Sequence, residues 1–331
     1  MKALILAPFL PEALERVKNR IEPIYESWTE TKKLLSPEEL SERLQQENIP
    51  IVIIEADFIF AEVFEGAPNL RLVGICRNAV DHVDVGAATR HGVLVVNTPG
   101  RNAVSVAELT IGMMLSLARQ IPAADSLIRS GGWDDPVGPY MARRGLELSG
   151  KVAGIIGFGA IGAEVARRLH AFDMQVITYD PYVSPEKLAQ ADVQQVKLPV
   201  LMERSDFALI HCAVTPETTG LIGGDEFALM KPTAYLVNTA GWEIIEEKAL
   251  MDALQQKRIA GAAFDVFETH PVSPDSPLLK LDNVLLTPHI GGATDGTLAR
   301  YSRMLAEDIE RFLDGKRPRN LVNPEAWPEH G

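Results

Sequence analysis

A glycine-rich segment in the middle of the chain has the residue types and the spacing of a phosphate-binding turn. Gly157, Gly159 and Gly162 follow the apolar run Val152–Ile156 and precede a helical pattern over residues 163–172. The first glycine permits a tight turn, the second lets the backbone approach a pyrophosphate, and the third lets helix and strand pack closely. Backbone N–H groups at the start of a helix attract phosphate. The segment therefore predicts dinucleotide binding.

Asp180 ends the next predicted strand, where such a turn requires an acidic residue. A carboxylate there accepts hydrogen bonds from the ribose hydroxyls of NAD, whereas it repels the 2′-phosphate of NADP. Pro181 and Tyr182 follow it, so neither arginine nor lysine stands directly after it to receive that phosphate. The alternative is a glycine-punctuated turn without a ligand. The strand, the helix and Asp180 together favour NAD over that alternative.

Short apolar runs alternate with helix-like segments along most of the chain, as is typical of parallel sheets covered by helices on both faces. The predicted strands are Ala3–Leu6, a weaker one near Ile24–Trp28, Ile51–Ile54, Leu70–Ile75, Val93–Val96, Val152–Ile156, Gln175–Tyr179, Phe207–Ile210, Ala234–Val237, Gly261–Phe264 and Val284–Leu286. Long helices are predicted over Ser105–Arg119 and Ala293–Leu313, and Ser36-Pro37-Glu38-Glu39 predicts a helix start with a capping box. We expect an α/β protein of two doubly wound domains with a ligand cleft between them.

Length and composition restrict the class of protein. With 331 residues, 46% hydrophobic and 23% charged, the chain is expected to be globular with two domains. A net charge of −13 argues against nucleic acid or an anionic membrane surface as a partner. The N-terminal apolar run is too short for a signal peptide or a membrane span, so a cytoplasmic location is expected. Cys76 and Cys212 are expected to be reduced thiols, and no metal site is predicted.

Further motifs resemble the D-isomer-specific 2-hydroxyacid dehydrogenases, the family that includes phosphoglycerate dehydrogenase and D-lactate dehydrogenase. Besides the glycine turn, the resemblance rests on residues 96–108, 230–239, 261–267 and 286–292, in the family's order and over nearly the whole chain. It implies a Rossmann NAD domain, residues 101–313, inserted in a flavodoxin-like substrate domain made of residues 1–100 and 314–331. It also implies a homodimer formed through the nucleotide domain.

The resemblance implies hydride transfer between nicotinamide and the 2-carbon of a 2-hydroxy or 2-oxo acid. The family uses a histidine as proton donor, a carboxylate that holds it, and an arginine that binds the substrate carboxylate. The histidine matches His289, whereas Gly241 stands at the arginine position and His270 at the carboxylate position. A neutral His270 can accept a hydrogen bond but cannot stabilise an imidazolium as a carboxylate does. Losing the guanidinium contact costs about 2–5 kcal/mol, so ordinary 2-oxo acids are predicted to be poor substrates.

Three side chains are candidates to compensate for the missing groups. Arg77 lies in the loop that, by resemblance, presents backbone N–H groups to the substrate carboxylate. It either binds that carboxylate or pairs with Asp81 or Asp84. Trp242 either fills the volume of the missing arginine, which suits a neutral or stacking substrate, or packs under the adjacent loop. Glu268 is a candidate for a displaced carboxylate.

The resemblance assigns the candidate site residues to the glycine turn and to the ends of the strands. The cofactor-binding candidates are Gly157, Gly159, Ala160, Ile161, Gly162, Asp180, His211, Cys212, Thr239, Ala240, Gly241, Asp265, His289 and Gly291. The candidate catalytic residues are His289, His270 and Arg77. We expect an NAD-dependent oxidoreductase that acts on a small CH–OH or carbonyl substrate with an altered substrate site. The alternatives are an NAD(H)-binding protein without turnover, and a conventional 2-hydroxyacid dehydrogenase that uses Arg77.

Overall fold

The chain forms two compact units. The computed structural model describes residues 1–328, so residues 329–331, the end of the predicted substrate domain, lie outside the described residues. Within the described residues, the first unit consists of Met1–Asn102 and residues 294–328, and the second of Ala103–Ala293. Both units are of the α/β class with parallel sheets, as predicted.

The first unit is a doubly wound sheet. Within residues 1–328 it has five strands in the order β2-β1-β3-β4-β5, which is the flavodoxin-like order. The strands are β1 (Lys2–Ile5), β2 (Glu22–Tyr25), β3 (Ile51–Ile54), β4 (Leu72–Ile75) and β5 (Leu94–Val96). The helices are α1 (Pro11–Glu15), α2 (Trp28–Thr31), α3 (Pro37–Gln46), α4 (Ala61–Gly66), α5 (Val85–Arg90) and the last helix of the chain, α14 (Asp295–Leu313). The capping box predicted at the start of α3 is confirmed by both of its hydrogen bonds.

Helix α14 belongs to the first unit, although the sequence placed it in the nucleotide domain. Tyr301 Oη donates to Pro8 O (2.7 Å), and Leu305 packs where a Cβ on Gly74 of β4 would lie. The apolar periodicity of α14 predicts a helix, but it does not tell which of two sheets the helix covers, since both sheets have apolar faces. The observed division of the chain follows residue 293, whereas the resemblance implied a boundary at residue 313.

The second unit has the strand order of a Rossmann fold. Its seven strands within residues 1–328 run β12-β11-β10-β9-β6-β7-β8. They are β6 (Val152–Ile156), β7 (Gln175–Tyr179), β8 (Gln194–Gln195), β9 (Phe207–Ile210), β10 (Tyr235–Asn238), β11 (Gly261–Phe264) and β12 (Val284–Leu286). The helices are α6 (Ala103–Arg119), α7 (Ile121–Arg129), α8 (Gly138–Ala142), α9 (Ala160–His170), α10 (Pro185–Gln190), α11 (Leu198–Arg204), α12 (Gly224–Leu229) and α13 (Glu247–Gln255).

The core of the second unit lies on both faces of its sheet. One apolar cluster packs Phe264 and Trp242 on one face, and another packs Phe207 and Val165 on the other. The order of the strands reverses between β6 and β9, which is where ligands bind in open α/β sheets. The sequence therefore folds so that the glycine turn after β6 lies beside the loop after β9.

Within residues 1–328, no single helix is both long and apolar enough to cross a bilayer. The bent pair α6 and α7 reaches the combined length and hydropathy, but α6 contributes to the apolar core of the second unit.

Candidate cofactor and proton-transfer site

The glycine turn, residues 157–162, has the geometry that its glycines predict. Gly157 has a φ of +92°, and a Cβ there would lie 2.5 Å from Cys212 N. A Cβ on Gly162 would lie 2.4 Å from Gly157 O, whereas one on Gly159 would meet nothing within 4 Å. The fold itself thus requires glycine at 157 and 162. Gly159 instead leaves open space at the start of α9.

Unpaired donors line that open space. Helix α9 begins at Ala160, and its N-cap, Gly159, provides no side chain to cap it. Among residues 1–328, no group accepts a hydrogen bond from the N–H of Ala160, Ile161 or Gly162. Because a helix N-terminus carries partial positive charge, these donors suit an anion. The turn fits the pyrophosphate of a dinucleotide.

Asp180 is fixed at the edge of the glycine turn. Its Oδ2 accepts from Phe158 N (2.7 Å) and its Oδ1 from Tyr182 N (2.9 Å). A carboxylate has about four acceptor positions, so two remain for ribose hydroxyls. The residue therefore fits the adenosine ribose of NAD.

The loop after β9 contributes two titratable side chains that remain neutral. The ring of His211 is buried, its Nδ1 lies 3.4 Å from Thr239 Oγ1, and burial lowers its pKa to about 3. Burial likewise raises the pKa of the Cys212 thiol to about 11. Neither residue is suited to proton transfer or nucleophilic attack near neutral pH. Cys212 is a free thiol, as expected.

Asn238 shapes the turn after β10. It is fully buried, its Oδ1 accepts from Ala240 N (3.0 Å) and Gly241 N (3.4 Å), and its Nδ2 donates to Gly241 O (2.8 Å). The sequence analysis did not single out this residue. Its signal was an amide side chain that ends an otherwise apolar strand, since a buried amide needs partners.

The surroundings of Gly241 leave little room for a larger residue. Its backbone is extended, with a φ of −165°, but a Cβ would lie 2.2 Å from Val214 Cγ2 and 3.3 Å from Glu243 Oε2. Trp242 is only 7% exposed, and its ring meets that of Phe264 edge-on at 5.5 Å. Trp242 is thus part of the apolar core, and the geometry favours packing under the adjacent loop over filling a substrate pocket.

Asp265, at the end of β11, holds the loop that carries His289. Its Oδ1 accepts from Thr287 Oγ1 (2.5 Å) and Ile290 N (2.8 Å). Its Oδ2 accepts from Gly291 N (2.7 Å). Between these anchors His289 has a φ of +53°, a conformation that a non-glycine residue adopts at a cost of about 1–3 kcal/mol. Asp265 therefore positions His289, a role that the sequence analysis did not assign to it.

His289 and His270 form a histidine pair. Nδ1 of His289 lies 3.1 Å from Nε2 of His270, and the ring centroids are 4.9 Å apart. One ring donates its N–H to the lone pair of the other. Because Nδ1 of His289 faces His270, Nε2 is the nitrogen suited to exchange a proton with a substrate. Glu268 is exposed and lines a cavity of about 190 Å³ together with Trp242.

Comparisons with known proteins identify relatives of this chain. The family described as "D-isomer specific 2-hydroxyacid dehydrogenase, NAD binding domain" matches residues 111–291. The D-3-phosphoglycerate dehydrogenase of Archaeoglobus fulgidus is 41% identical over 98% of this chain and 59% of its own length. The glyoxylate reductase of Thermofilum pendens is 40% identical over 88% of this chain and 85% of its own length. The solved TT0316 protein of Thermus thermophilus superposes with a TM-score of 0.84 at 31% identity, covering 97% of this chain and 100% of that one.

The chain belongs to the D-isomer specific 2-hydroxyacid dehydrogenase family. Its second unit contains the NAD-binding domain of that family, which confirms the predicted family, the predicted fold and NAD as the cofactor. The chain spans 59% and 55% of the length of the first two phosphoglycerate dehydrogenases that it matches.

In this family member, the loop after β4 in the first unit is rich in unpaired donors. Among residues 1–328, the N–H groups of residues 77–82 donate to no other group. Arg77 is exposed, and in the described part of the chain no ion pair joins it to Asp81 or Asp84; Asp81 Oδ1 lies 3.9 Å from His82 Nδ1. Asp84 instead accepts from Ala87 N (2.8 Å) at the start of α5. Of the two interpretations of Arg77, the one that pairs it with a neighbouring aspartate is therefore not observed.

Within residues 1–328, no group of three or more histidine, cysteine, aspartate or glutamate side chains is arranged to hold a metal ion.

Proposed function

We propose that this protein is an NAD-dependent oxidoreductase that interconverts a small carbonyl compound and its alcohol, with His289 as the proton donor. The observation that carries the proposal is the 3.1 Å contact between His289 Nδ1 and His270 Nε2, on a loop that Asp265 anchors. NADH supplies the hydride. The named relatives support the proposal, because phosphoglycerate dehydrogenase and glyoxylate reductase are both oxidoreductases of this family.

The chemistry of the histidine pair differs from that of a histidine–carboxylate pair. During carbonyl reduction, His289 gives the proton on Nε2 to the carbonyl oxygen, while His270 holds the ring through Nδ1. A carboxylate at position 270 would favour the charged form of His289, whereas a neutral imidazole does so far less. We infer that the substrate site is altered relative to the family, and that the proton donor works without a carboxylate partner at position 270.

His270→Glu moves the pH dependence of the reaction. The protonated donor is the active form in carbonyl reduction, so kcat/KM falls as pH rises. The added carboxylate favours the imidazolium, so the falling limb shifts upward by roughly one pH unit. The measurement is a pH profile of kcat/KM with any carbonyl that is turned over, and His270→Gln is the uncharged control. An unchanged limb in His270→Glu argues against the pairing as a functional contact.

A second candidate function, a conventional 2-oxo acid reductase, is favoured by the open donors of residues 77–82. Arg77 stands at the start of this run. Arg101, another arginine of the first unit, is already engaged by Glu55 (3.5 Å) and by the ring of Tyr301 (5.4 Å). Backbone N–H groups next to an unpaired guanidinium suit a carboxylate. In this alternative, Arg77 takes the role of the family's arginine, whose position Gly241 occupies.

The two candidates differ in the turnover of simple 2-oxo acids. If the site is altered, kcat/KM for pyruvate, hydroxypyruvate and glyoxylate lies below about 10⁴ M⁻¹s⁻¹, the lower end for ordinary enzymes. Steady-state NADH oxidation measures this, with Arg77→Ala compared with Arg90→Ala, a matched loss of an arginine on α5. A higher value for any of the three acids contradicts the altered site. If Arg77→Ala alone then abolishes that activity, the second candidate is correct.

We also propose a homodimer formed through the second unit. Apolar side chains along residues 121–141 are exposed: Ile121, Ile128, Trp133, Val137, Tyr140 and Met141. Helix α7 has no buried residue. Exposed apolar side chains gathered in one segment are typical of an interface, and a second copy is the occupant that the family resemblance implies.

Ile128→Asp converts the dimer to a monomer without unfolding it. The side chain is 59% exposed, so the substitution removes no core contact, but it places a charge in the apolar interface. Sedimentation velocity measures the change in mass, and Leu229→Asp on α12, also exposed, is the control. A wild type that sediments as a monomer at high concentration contradicts the proposal.

A further inference from the structure

The ammonium of Lys187 contacts Phe158, the residue of the glycine turn that also contacts Asp180. Lys187 Nζ donates to Phe158 O (3.1 Å) and lies 5.7 Å from the centroid of the Phe158 ring. Asp180 Oδ2 accepts from the N–H of that same residue (2.7 Å). The backbone N–H of Phe158 thus donates to a carboxylate, and its carbonyl oxygen accepts from an ammonium. Two opposite charges stand at the adenosine end of the candidate NAD site.

The position of Lys187 is set by the start of α10. Ser184 Oγ accepts from Lys187 N (3.3 Å), and Pro185 begins the helix. The side chain then reaches the glycine turn, 29 residues earlier in the chain. Lys187 is exposed, and a neutral carbonyl is its hydrogen-bond partner within residues 1–328. A phosphate is a stronger acceptor than a carbonyl, so the ammonium can exchange one for the other.

These contacts matter for the choice between the two nicotinamide cofactors. NADP differs from NAD by a phosphate on the ribose hydroxyl that Asp180 is suited to bind. Asp180 repels that phosphate, while the ammonium of Lys187, which contacts Phe158 as Asp180 does, attracts it. The glycine motif and Asp180 account for the repulsion of the 2′-phosphate but not for its attraction to Lys187.

We propose that Lys187 is a specificity-determining residue for the cofactor, which binds the 2′-phosphate of NADP(H) and opposes the repulsion by Asp180. The proposal rests on the proposed function only in requiring that the glycine turn binds NAD(H). Asp180 sets the preference for NAD(H), and Lys187 sets how much affinity for NADP(H) remains. Removing Asp180 alone therefore uncovers NADPH binding that depends on Lys187.

The test is a titration of NADH and NADPH into four proteins: the wild type, Asp180→Ala, Lys187→Met and the double variant. The wild type is expected to bind NADH more than about tenfold tighter than NADPH, because Asp180 repels the 2′-phosphate. A tenfold difference in affinity corresponds to about 1.4 kcal/mol. Asp180→Ala weakens NADH binding and reduces the difference between the affinities for NADH and NADPH. Adding Lys187→Met to Asp180→Ala weakens NADPH binding roughly five- to tenfold, the size of a charge-assisted contact, and changes NADH binding less than about twofold.

Two controls separate this contact from general effects. Lys248→Met on α13 removes the same charge from the same unit at an exposed position, and it leaves both affinities unchanged. Raising the salt concentration reduces the effect of Lys187→Met on NADPH binding, because the contact is exposed to solvent. Thermal unfolding of each variant verifies that the fold is retained.

The outcomes distinguish this inference from the proposed function. Equal NADPH affinities of Asp180→Ala and the double variant overturn the role of Lys187. An equal loss of NADH and NADPH affinity also overturns it, because Lys187 would then only support the turn through Phe158. If NADH does not bind the wild type at all, the proposed function fails and the role of Lys187 fails with it. If NADH binds and Lys187→Met is without effect, only the role of Lys187 fails.

Discussion

Gly157→Ala lowers the stability of the free protein, whereas Gly159→Ala leaves it unchanged and weakens only the binding of NADH. A Cβ at position 157 would lie 2.5 Å from Cys212 N on a backbone with a φ of +92°. Such a clash in a left-handed conformation is expected to cost about 2–4 kcal/mol of unfolding free energy. A Cβ at position 159 meets nothing within 4 Å of the free protein, but it enters the space that suits a pyrophosphate.

Urea unfolding and NADH titration separate the two effects. Gly159→Ala is expected to raise the dissociation constant of NADH at least about tenfold, a loss of about 1.4 kcal/mol. Gly224→Ala is the control, because a Cβ there also meets nothing within 4 Å and the residue lies outside the turn, in α12. If Gly159→Ala binds NADH as tightly as the wild type does, the pyrophosphate does not lie against this turn.

His289→Ala lowers kcat by about 10²–10⁴ and leaves NADH binding within about twofold of the wild type. Those factors are the usual contribution of a positioned general acid. The residue is exposed and lies on a loop that Asp265 holds through other groups, so its removal leaves the fold intact. Steady-state kinetics with an accepted carbonyl and a fluorescence titration of NADH measure the two quantities. His91→Ala, which removes an exposed histidine from the first unit, is the control. An unchanged rate in His289→Ala rules this residue out as the proton donor.

Much of the fold follows from local patterns in the sequence. Strand β6 has the bounds that its apolar run predicted, and the capping box of α3 forms as its four residues indicated. Strand β8 was missed, because Gln194 and Gln195 are polar and exposed and so carry no apolar period. The docking of α14 was also missed, since periodicity defines the buried face of a helix but not its partner. Local sequence patterns do not predict features of the fold that depend on contacts between residues far apart in the chain.

In the candidate site, too, some features were predicted from sequence patterns and others were not. The glycine turn and Asp180 were predicted because the chemistry of a phosphate and a ribose restricts residue type at fixed spacing. The anchoring of His289 by Asp265 was not, because it joins residues 22 to 26 positions apart in loops whose course a pattern does not encode. The packing of Trp242 stayed open until its neighbour Phe264 was known.

Transfer of deuterium from NADH tests the central claim most directly. The protein is incubated with NADH that carries deuterium at either face of C4, together with a broad panel of small aldehydes, ketones and 2-oxo acids. The products are analysed by mass spectrometry. At least one carbonyl is expected to yield an alcohol with deuterium on its new C–H, from one of the two faces of C4 only, and His289→Ala is expected to suppress this transfer. If NADH binds but deuterium enters no product, the protein binds the cofactor without turning over a substrate, and the proposed activity is wrong.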